Sequence, residues 1–212
     1  MRQALSGRRM VDKNKMFVQE FANPHSWVMT AEDLHEQAGL LYRSRSRSSI
    51  RSRLDPSGKV LRETRGVDKS IFLLCGFALE NAIKAFLVYE QPQWISNGSL
   101  WGKLKSHKLT ALQQQSGLIP YKKRYLWVLR AFEDGLESWA RYPCALTVNE
   151  TKEGDDLYDR YWEGYVRVMH AYGKRLTELF DKNWNGPHGA GGKWEMRGET
   201  FGYKRPLKRP RR

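Results

Sequence analysis

One segment constrains the architecture more than any other. From Asp68 to Glu90 the chain is apolar almost all round, with Ile71, Phe72, Leu73, Leu74, Phe77, Leu79, Ile83, Phe86 and Leu87, and Pro92 then stops it. A helix that is apolar on every side has to be surrounded, so this one belongs at the centre of a helical assembly. Glu80, Asn81 and Lys84 interrupt its surface. They leave no unbroken apolar run of 18 residues, so a membrane span is not expected. Glu80 and Lys84 stand four apart in the favourable order. They read either as an exposed pair worth ~0.3–0.5 kcal/mol or as the wall of a polar cleft.

Helical spacing continues on both sides. A short helix is expected around Lys13 to Phe21, stopped by Asn23-Pro24. The next is expected to open on Thr30, the N-cap of a capping-box-like Thr30-Ala-Glu-Asp33, and to carry Leu34, Ala38 and Leu41. A polar linker from Gln93 to Lys105 carries Trp94 and Trp101. Ser106 suits the N-cap of a helix through His107, Leu109 and Leu112 to Gln115, and Gly117 suits its end. Another helix is expected from about Pro120, with a stripe of Tyr125, Val128, Leu129, Phe132, Leu136 and Trp139, breaking at Arg141-Tyr142-Pro143. The last runs from about Asp155 to Trp184. Its Leu157, Tyr161, Tyr165, Val168, Tyr172, Leu176 and Leu179 step by fours and threes as a bundle seam does, and Asn185-Gly186-Pro187 ends it.

Val60-Leu61 and Leu146 to Val148 are too short to build a sheet. The expected fold is therefore all-α, an antiparallel bundle of four to five helices over residues 23–188. A basic arm or short helix occupies 1–22, an Arg/Ser-rich loop 43–66 and a disordered basic tail 189–212. A chain of 212 residues can bury one such core. Trp127, Trp139, Tyr158, Trp162 and Tyr165 exceed what one thin bundle buries, which points to a homodimer.

The charge is segregated. Of a formal +14, residues 1–16 hold net +4, residues 43–66 net +6 and residues 189–212 net +6, so the remaining body is slightly acidic. Concentrated positive segments suit a polyanion, and RNA is the expected partner. Arg43, Arg45, Arg47, Arg51 and Arg53 of the loop are candidate phosphate contacts. So are Lys204, Arg205, Lys208, Arg209, Arg211 and Arg212 of the tail, with Trp194 as a base-stacking group among them. The competing reading is a solubilising fringe.

Two cysteines, Cys75 and Cys144, are too few for a disulfide framework or a zinc site. Cys75 reads as a small core residue. Met1 to Lys15 lacks the apolar stretch of a secretory signal, so a cytoplasmic location is expected. There is no Gly-rich phosphate loop, no His-Glu-x-x-His and no nucleophile elbow. Glu150, Glu153, Asp155, Asp156 and Asp159 match no calcium loop, and no metal or cofactor is expected. His107 stands beside Lys105 and Lys108. A local positive field there would hold it neutral, as a general base needs, although a packing histidine fits the position as well.

Gly76-Phe-Ala-Leu-Glu80-Asn-Ala-Ile-Lys84-Ala-Phe-Leu87, then Ser106-His107-Lys-Leu109-Thr-Ala-Leu112, then Arg141-Tyr142-Pro143, resemble in order and spacing the HEPN superfamily. The resemblance covers about residues 30–184. It implies an up-and-down helical bundle, often a homodimer, that binds or cuts RNA in toxin–antitoxin, abortive-infection or antiviral defence. A nucleotidyltransferase-like antitoxin or another defence protein is then an implied partner. Other members are non-catalytic. Nuclease members carry an arginine followed, after four to six residues, by a histidine. No arginine precedes any of the five histidines here at that distance. What carries over is Glu80, Lys84, His107 and Arg141 as the polar edge. His107 would be the base, and Arg141 or Lys84 would stabilise phosphorane charge. Two functions stay open: an RNA-binding protein, with or without divergent metal-independent endoribonuclease activity, and a non-catalytic dimerisation or partner-binding module whose basic segments aid solubility. The missing arginine-to-histidine motif favours binding over cutting.

Overall fold

In the computed structural model, which describes residues 12–142, 147 and 159–206, the apolar segment is one helix of 23 residues, α3 (Asp68–Glu90). Ile71, Cys75, Ala78, Leu79, Ala82, Ile83 and Phe86 have no exposed surface. By length and composition α3 could cross a membrane, but 78% of its most apolar window is buried by the rest of the protein. The described chain is mostly helical.

Among the described residues, three of the longer helices pack around α3. The 21-residue α2 (Pro24–Ser44) runs antiparallel to it: Arg45, just past the end of α2, binds Asp68 at the start of α3, and Trp27 near the start of α2 reaches Lys84. The 22-residue α6 (Asp159–Phe180) runs parallel to α3. Tyr165 meets Cys75, Tyr172 meets Phe86 at 5.5 Å, and the Tyr89 hydroxyl donates to the Leu179 carbonyl at 3.0 Å. The short α5 (Leu126–Glu137) closes the third side, with Phe132 stacked on Phe72 at 4.3 Å. Glu133 of α5 accepts from both the backbone and the hydroxyl of Thr110, in α4 (Leu109–Gln114). The expected seam of α6 is present: Tyr165, Val168, Tyr172, Leu176 and Leu179 are buried, Tyr161 is half-buried, and Leu157 lies outside the described residues.

Several helix starts differ from expectation. Asn23-Pro24 is a beginning as well as a stop. Asn23 Oδ1 accepts from the Ser26 amide at 3.0 Å and Pro24 takes the first turn, where its missing N–H matters least. Thr30 is therefore inside α2, its hydroxyl bonded to the Ser26 carbonyl. Before it come α1 (Lys13–Met16), capped by Asp12, and a π-helical stretch over Phe17–Ala22. Turns fill Tyr121 to Tyr125, so α5 begins six residues after Pro120.

The fold is not all-α. The Arg/Ser segment is a short 3-10 turn (Arg45–Arg47) followed by an antiparallel ribbon of β1 (Ile50–Leu54) and β2 (Val60–Arg65). The larger correction concerns the tail, whose residues 189–206 dock on the helices. Trp184–Asn185 (β3) pairs with Gly191–Gly192 (β4), and Glu199–Thr200 (β5) pairs with Tyr203–Lys204 (β6). Phe201 is 1% exposed and Thr200 is buried. The Thr200 carbonyl lies so close to Gly173 of α6 that any side chain there would collide with it. The two-residue turn Phe201-Gly202 has φ of 50° and 75°, which is hairpin geometry usually built from Asn-Gly.

Most of the aromatic surplus is absorbed within the chain. Trp162 stacks on Tyr42 at 4.0 Å, Trp139 packs on Phe72 at 4.5 Å and Tyr165 is fully buried. Trp127 stays 46% exposed, and Tyr158 lies outside the described residues. Of the five, Trp127 is the one described aromatic left exposed.

Candidate functional site

Glu80 and Lys84 lie one turn apart on α3 and are buried, at 5% and 4% exposure. Lys84 Nζ donates to Glu80 Oε1 at 2.5 Å. The ammonium also sits 5.6 Å from the ring centre of Trp27, whose own indole N–H is anchored on the Ala22 carbonyl. The pair is thus neither of the surface arrangements that spacing alone allows.

The second Glu80 oxygen faces His107, with Nδ1 and Oε2 2.8 Å apart. His107 precedes α4 in an extended segment. Buried Leu104 and Leu109 pin that segment on either side, and the Ser106 hydroxyl accepts from the Lys108 amide. The Phe77 ring meets the imidazole edge-on at 6.4 Å. A carboxylate oxygen paired with an ammonium only accepts, so Nδ1 is the donor in this contact. Nε2 is the ring nitrogen left for another partner, and the side chain is 48% exposed. A histidine whose tautomer is fixed by a carboxylate is the arrangement a general base requires.

Among the described residues the imidazole is bonded to Glu80 and to no serine, threonine or cysteine. Lys84 is too buried to touch a substrate; its role is to hold Glu80. Arg141 is not brought to the site. It is exposed beside Tyr142, whose carbonyl accepts from Lys69, and Lys69 lies eleven residues before Glu80, about 16 Å along α3. Pro143 and Cys144 lie outside the described residues. Of the acidic cluster only Asp159 is described, and it accepts from Tyr42 and Arg45.

Three of the expected nucleic-acid contacts have structural duties. Arg45 forks onto Asp68 at 2.6 Å and also reaches Asp159 at 3.2 Å. Arg205 pairs with Asp181, which raises its pKa. Trp194 packs between His25, Phe180 and Trp184, with its amide bonded to the Phe180 carbonyl. Arg43, Arg47, Arg51, Arg53 and Lys204 are exposed. Lys208, Arg209, Arg211 and Arg212 lie outside the described residues.

The structure adds a basic cleft of about 220 Å³, lined by Arg124, Tyr125, Trp127, Arg160, Glu163, Gly164 and Arg167. Gly164 lets the Trp127 indole lie on the α6 backbone, where a side chain would strike the ring at 2.7 Å. Arg160 and Arg167 are two turns apart on one face, and Arg124 comes from across the cleft. The Tyr121-Lys-Lys-Arg-Tyr125 run and the i, i+7 arginines are visible in the sequence, but only the fold joins them. Nothing in the sequence pairs Trp27 with Lys84.

The chain has no significant match among protein-family models, curated proteins or solved structures.

Proposed function

We propose that the protein binds RNA and cleaves it by a metal-independent route with His107 as general base, as a divergent HEPN-like protein of a toxin–antitoxin or antiviral defence system. The observation that carries this reading is the half-exposed His107 held by buried Glu80. A base without a partner nucleophile suits a substrate that brings its own, and RNA places a 2′-hydroxyl beside every phosphodiester. The 2′-oxygen bonds to phosphorus as the bond to the 5′-oxygen breaks, leaving a 2′,3′-cyclic phosphate. His107 Nε2 takes the 2′ proton and solvent protonates the departing 5′-oxygen. Lys105 and Lys108, exposed on either side of His107, are the nearest cations in sequence for the phosphate. The Trp127 cleft offers a strand a stacking surface with arginines around it.

The test incubates total RNA with the purified protein, His107→Ala and Glu80→Gln, each with and without chelator. Loss of cleavage in His107→Ala, with chelator-resistant cleavage in the parent, supports the mechanism. RNA binding without cleavage by the parent leaves an RNA-binding protein without nuclease activity, and neither binding nor cleavage leaves the non-catalytic dimerisation or partner-binding module.

A further inference from the structure

Among the described residues the ribbon β1–β2 is largely exposed. Ile50, Leu54, Val60 and Leu61 on it are 48–54% exposed. A two-stranded hairpin is marginal in water unless something covers a face. Yet this one is closed by an ordered turn. Asp55 Oδ1 accepts from the Ser57 amide at 2.8 Å, the Ser57 hydroxyl at 2.6 Å and the Lys59 amide at 3.0 Å, and the Asp55 amide donates to the Lys59 carbonyl. The only carboxylate of the turn is thereby consumed inside it, leaving Pro56 and Lys59 exposed at the tip.

The faces are sorted. Cross-strand partners share a face, so Ser52 stands with Glu63, to which it donates at 3.2 Å, and Ile50 with Arg65. Arg51 and Arg53 alternate onto the opposite face, with Thr64 across from Arg51 and Arg62 in register with Arg53. The segment 43–66 holds eight basic residues against two acidic, and Arg43 and Arg47 are exposed at the ribbon's root. Five to six residues per strand give an arm of roughly 17–20 Å.

We propose that this arm grips a nucleic-acid double helix, with Arg51 and Arg53 on its phosphates and the apolar tip of Leu54, Pro56 and Val60 against the groove floor. Charge complementarity selects a polyanion. The paired strands, about 4.8 Å apart, make a flat object that a groove accepts and that a single strand has no surface to match. A B-form major groove admits a two-stranded ribbon, and the wide, shallow minor groove of A-form RNA offers phosphates and 2′-hydroxyls to the same face. Apolar tips on such arms can wedge between base steps. The arm deepens the RNA reading where the duplex is an RNA stem, and it stands without that reading where the duplex is DNA.

The experiment measures affinity against salt for a blunt 16-base-pair RNA duplex, the DNA duplex of the same sequence and the matching single strands. It uses the full chain, Arg51→Gln/Arg53→Gln, Leu54→Ser/Val60→Ser, and a variant in which a short Gly-Ser turn replaces residues 50–65. That replacement is feasible because the Gly66 amide already bonds the Ser49 carbonyl at 3.2 Å. Melting curves check that the body is retained. The expected result is tighter duplex than single-strand binding by the full chain. The arginine pair should flatten the log–log salt slope by about 1.8 on DNA, and the tip variant and the replacement should weaken duplex binding at least several-fold. Duplex affinity unchanged in the replacement overturns the proposal, as does equal loss on duplex and single strand. A replacement that turns a dimer into a monomer without altering duplex affinity overturns it in favour of strand pairing between copies. DNA preferred over RNA, with no RNA cleavage by the parent, supports the arm and removes the RNA function.

Discussion

Replacing Phe201 with alanine should destabilise the whole domain, although only eleven residues of the sequence follow it. Its ring is 1% exposed and meets His35 edge-on at 5.9 Å, and its amide donates to Glu32 Oε1 at 3.2 Å. Removing a fully buried phenylalanine side chain costs about 3–5 kcal/mol, part from lost burial and part from the cavity. Alanine would still occupy a left-handed position at φ 50°, so the substitution recovers none of the backbone strain. A loss of about 4 kcal/mol corresponds to roughly 8–16 °C in a chain of this length. The assay is thermal unfolding followed by near-ultraviolet circular dichroism, beside a variant truncated after Gly192. A midpoint within 2–3 °C of the parent for both would show that residues 193–206 are not part of the core, and would refute the packing described here.

Gly173→Ala should destabilise in the same sense, because the Thr200 carbonyl occupies the space a methyl would need; amide exchange should show the loss concentrated at residues 199–204. Acid should destabilise through His35, whose pKa burial lowers from 6.5 to about 4. The native state favours its neutral form, so this contribution is whole above pH 6.5 and is lost as pH falls toward 4. By pH 5 the loss is about 2 kcal/mol, measurable as a urea midpoint that shifts less with pH in His35→Gln. Glu80→Leu alone should cost about 3–5 kcal/mol by stranding Lys84, whereas Glu80→Leu/Lys84→Met should match or exceed the parent in urea while losing the RNA cleavage proposed above.

The sequence announces its helices through burial patterns. α3 is legible because apolar residues surround it, and α6 because Tyr165, Val168, Tyr172, Leu176 and Leu179 keep helical spacing. The start of α2 is misread because Asn23-Pro24 carries both a stop and a cap. The ribbon is hidden by composition, since Arg/Ser alternation has period two without an apolar face to mark it. The tail is hidden for a sharper reason. Its hairpin turn is Phe-Gly where the usual signal is Asn-Gly, and its anchors, Trp194 and Phe201, are scattered among glycines and charges with no period at all. They dock on surfaces made by α2 and α6, which no local pattern encodes. Arg45 and Arg205 look like free cations for the same reason: Asp68 and Asp181 lie 23 and 24 residues away.

The site was legible as residue types and not as geometry. Spacing pairs Glu80 with Lys84, but cannot say that the pair is buried or that His107 folds back onto it. Burial changes the meaning of the pair. An exposed i, i+4 pair is a few tenths of a kcal/mol of helix stability, whereas a buried one must overcome the desolvation of two charges and is often no better than two apolar side chains of equal size. Ala78, Leu79, Ala82, Ile83 and Phe86 around the pair have no exposed surface, with half-buried Asn81 the polar exception, so an apolar pair at these positions would suit the core. What that pair could not do is present a carboxylate to Nδ1 of a histidine at the surface. Lys84 pairs with one Glu80 oxygen in the core, the other Glu80 oxygen faces Nδ1 of His107, and of the three only His107 is substantially exposed. Read outward from the core, the three residues form a chain whose stability argument is weak at every buried link and whose chemical argument strengthens toward the exposed end.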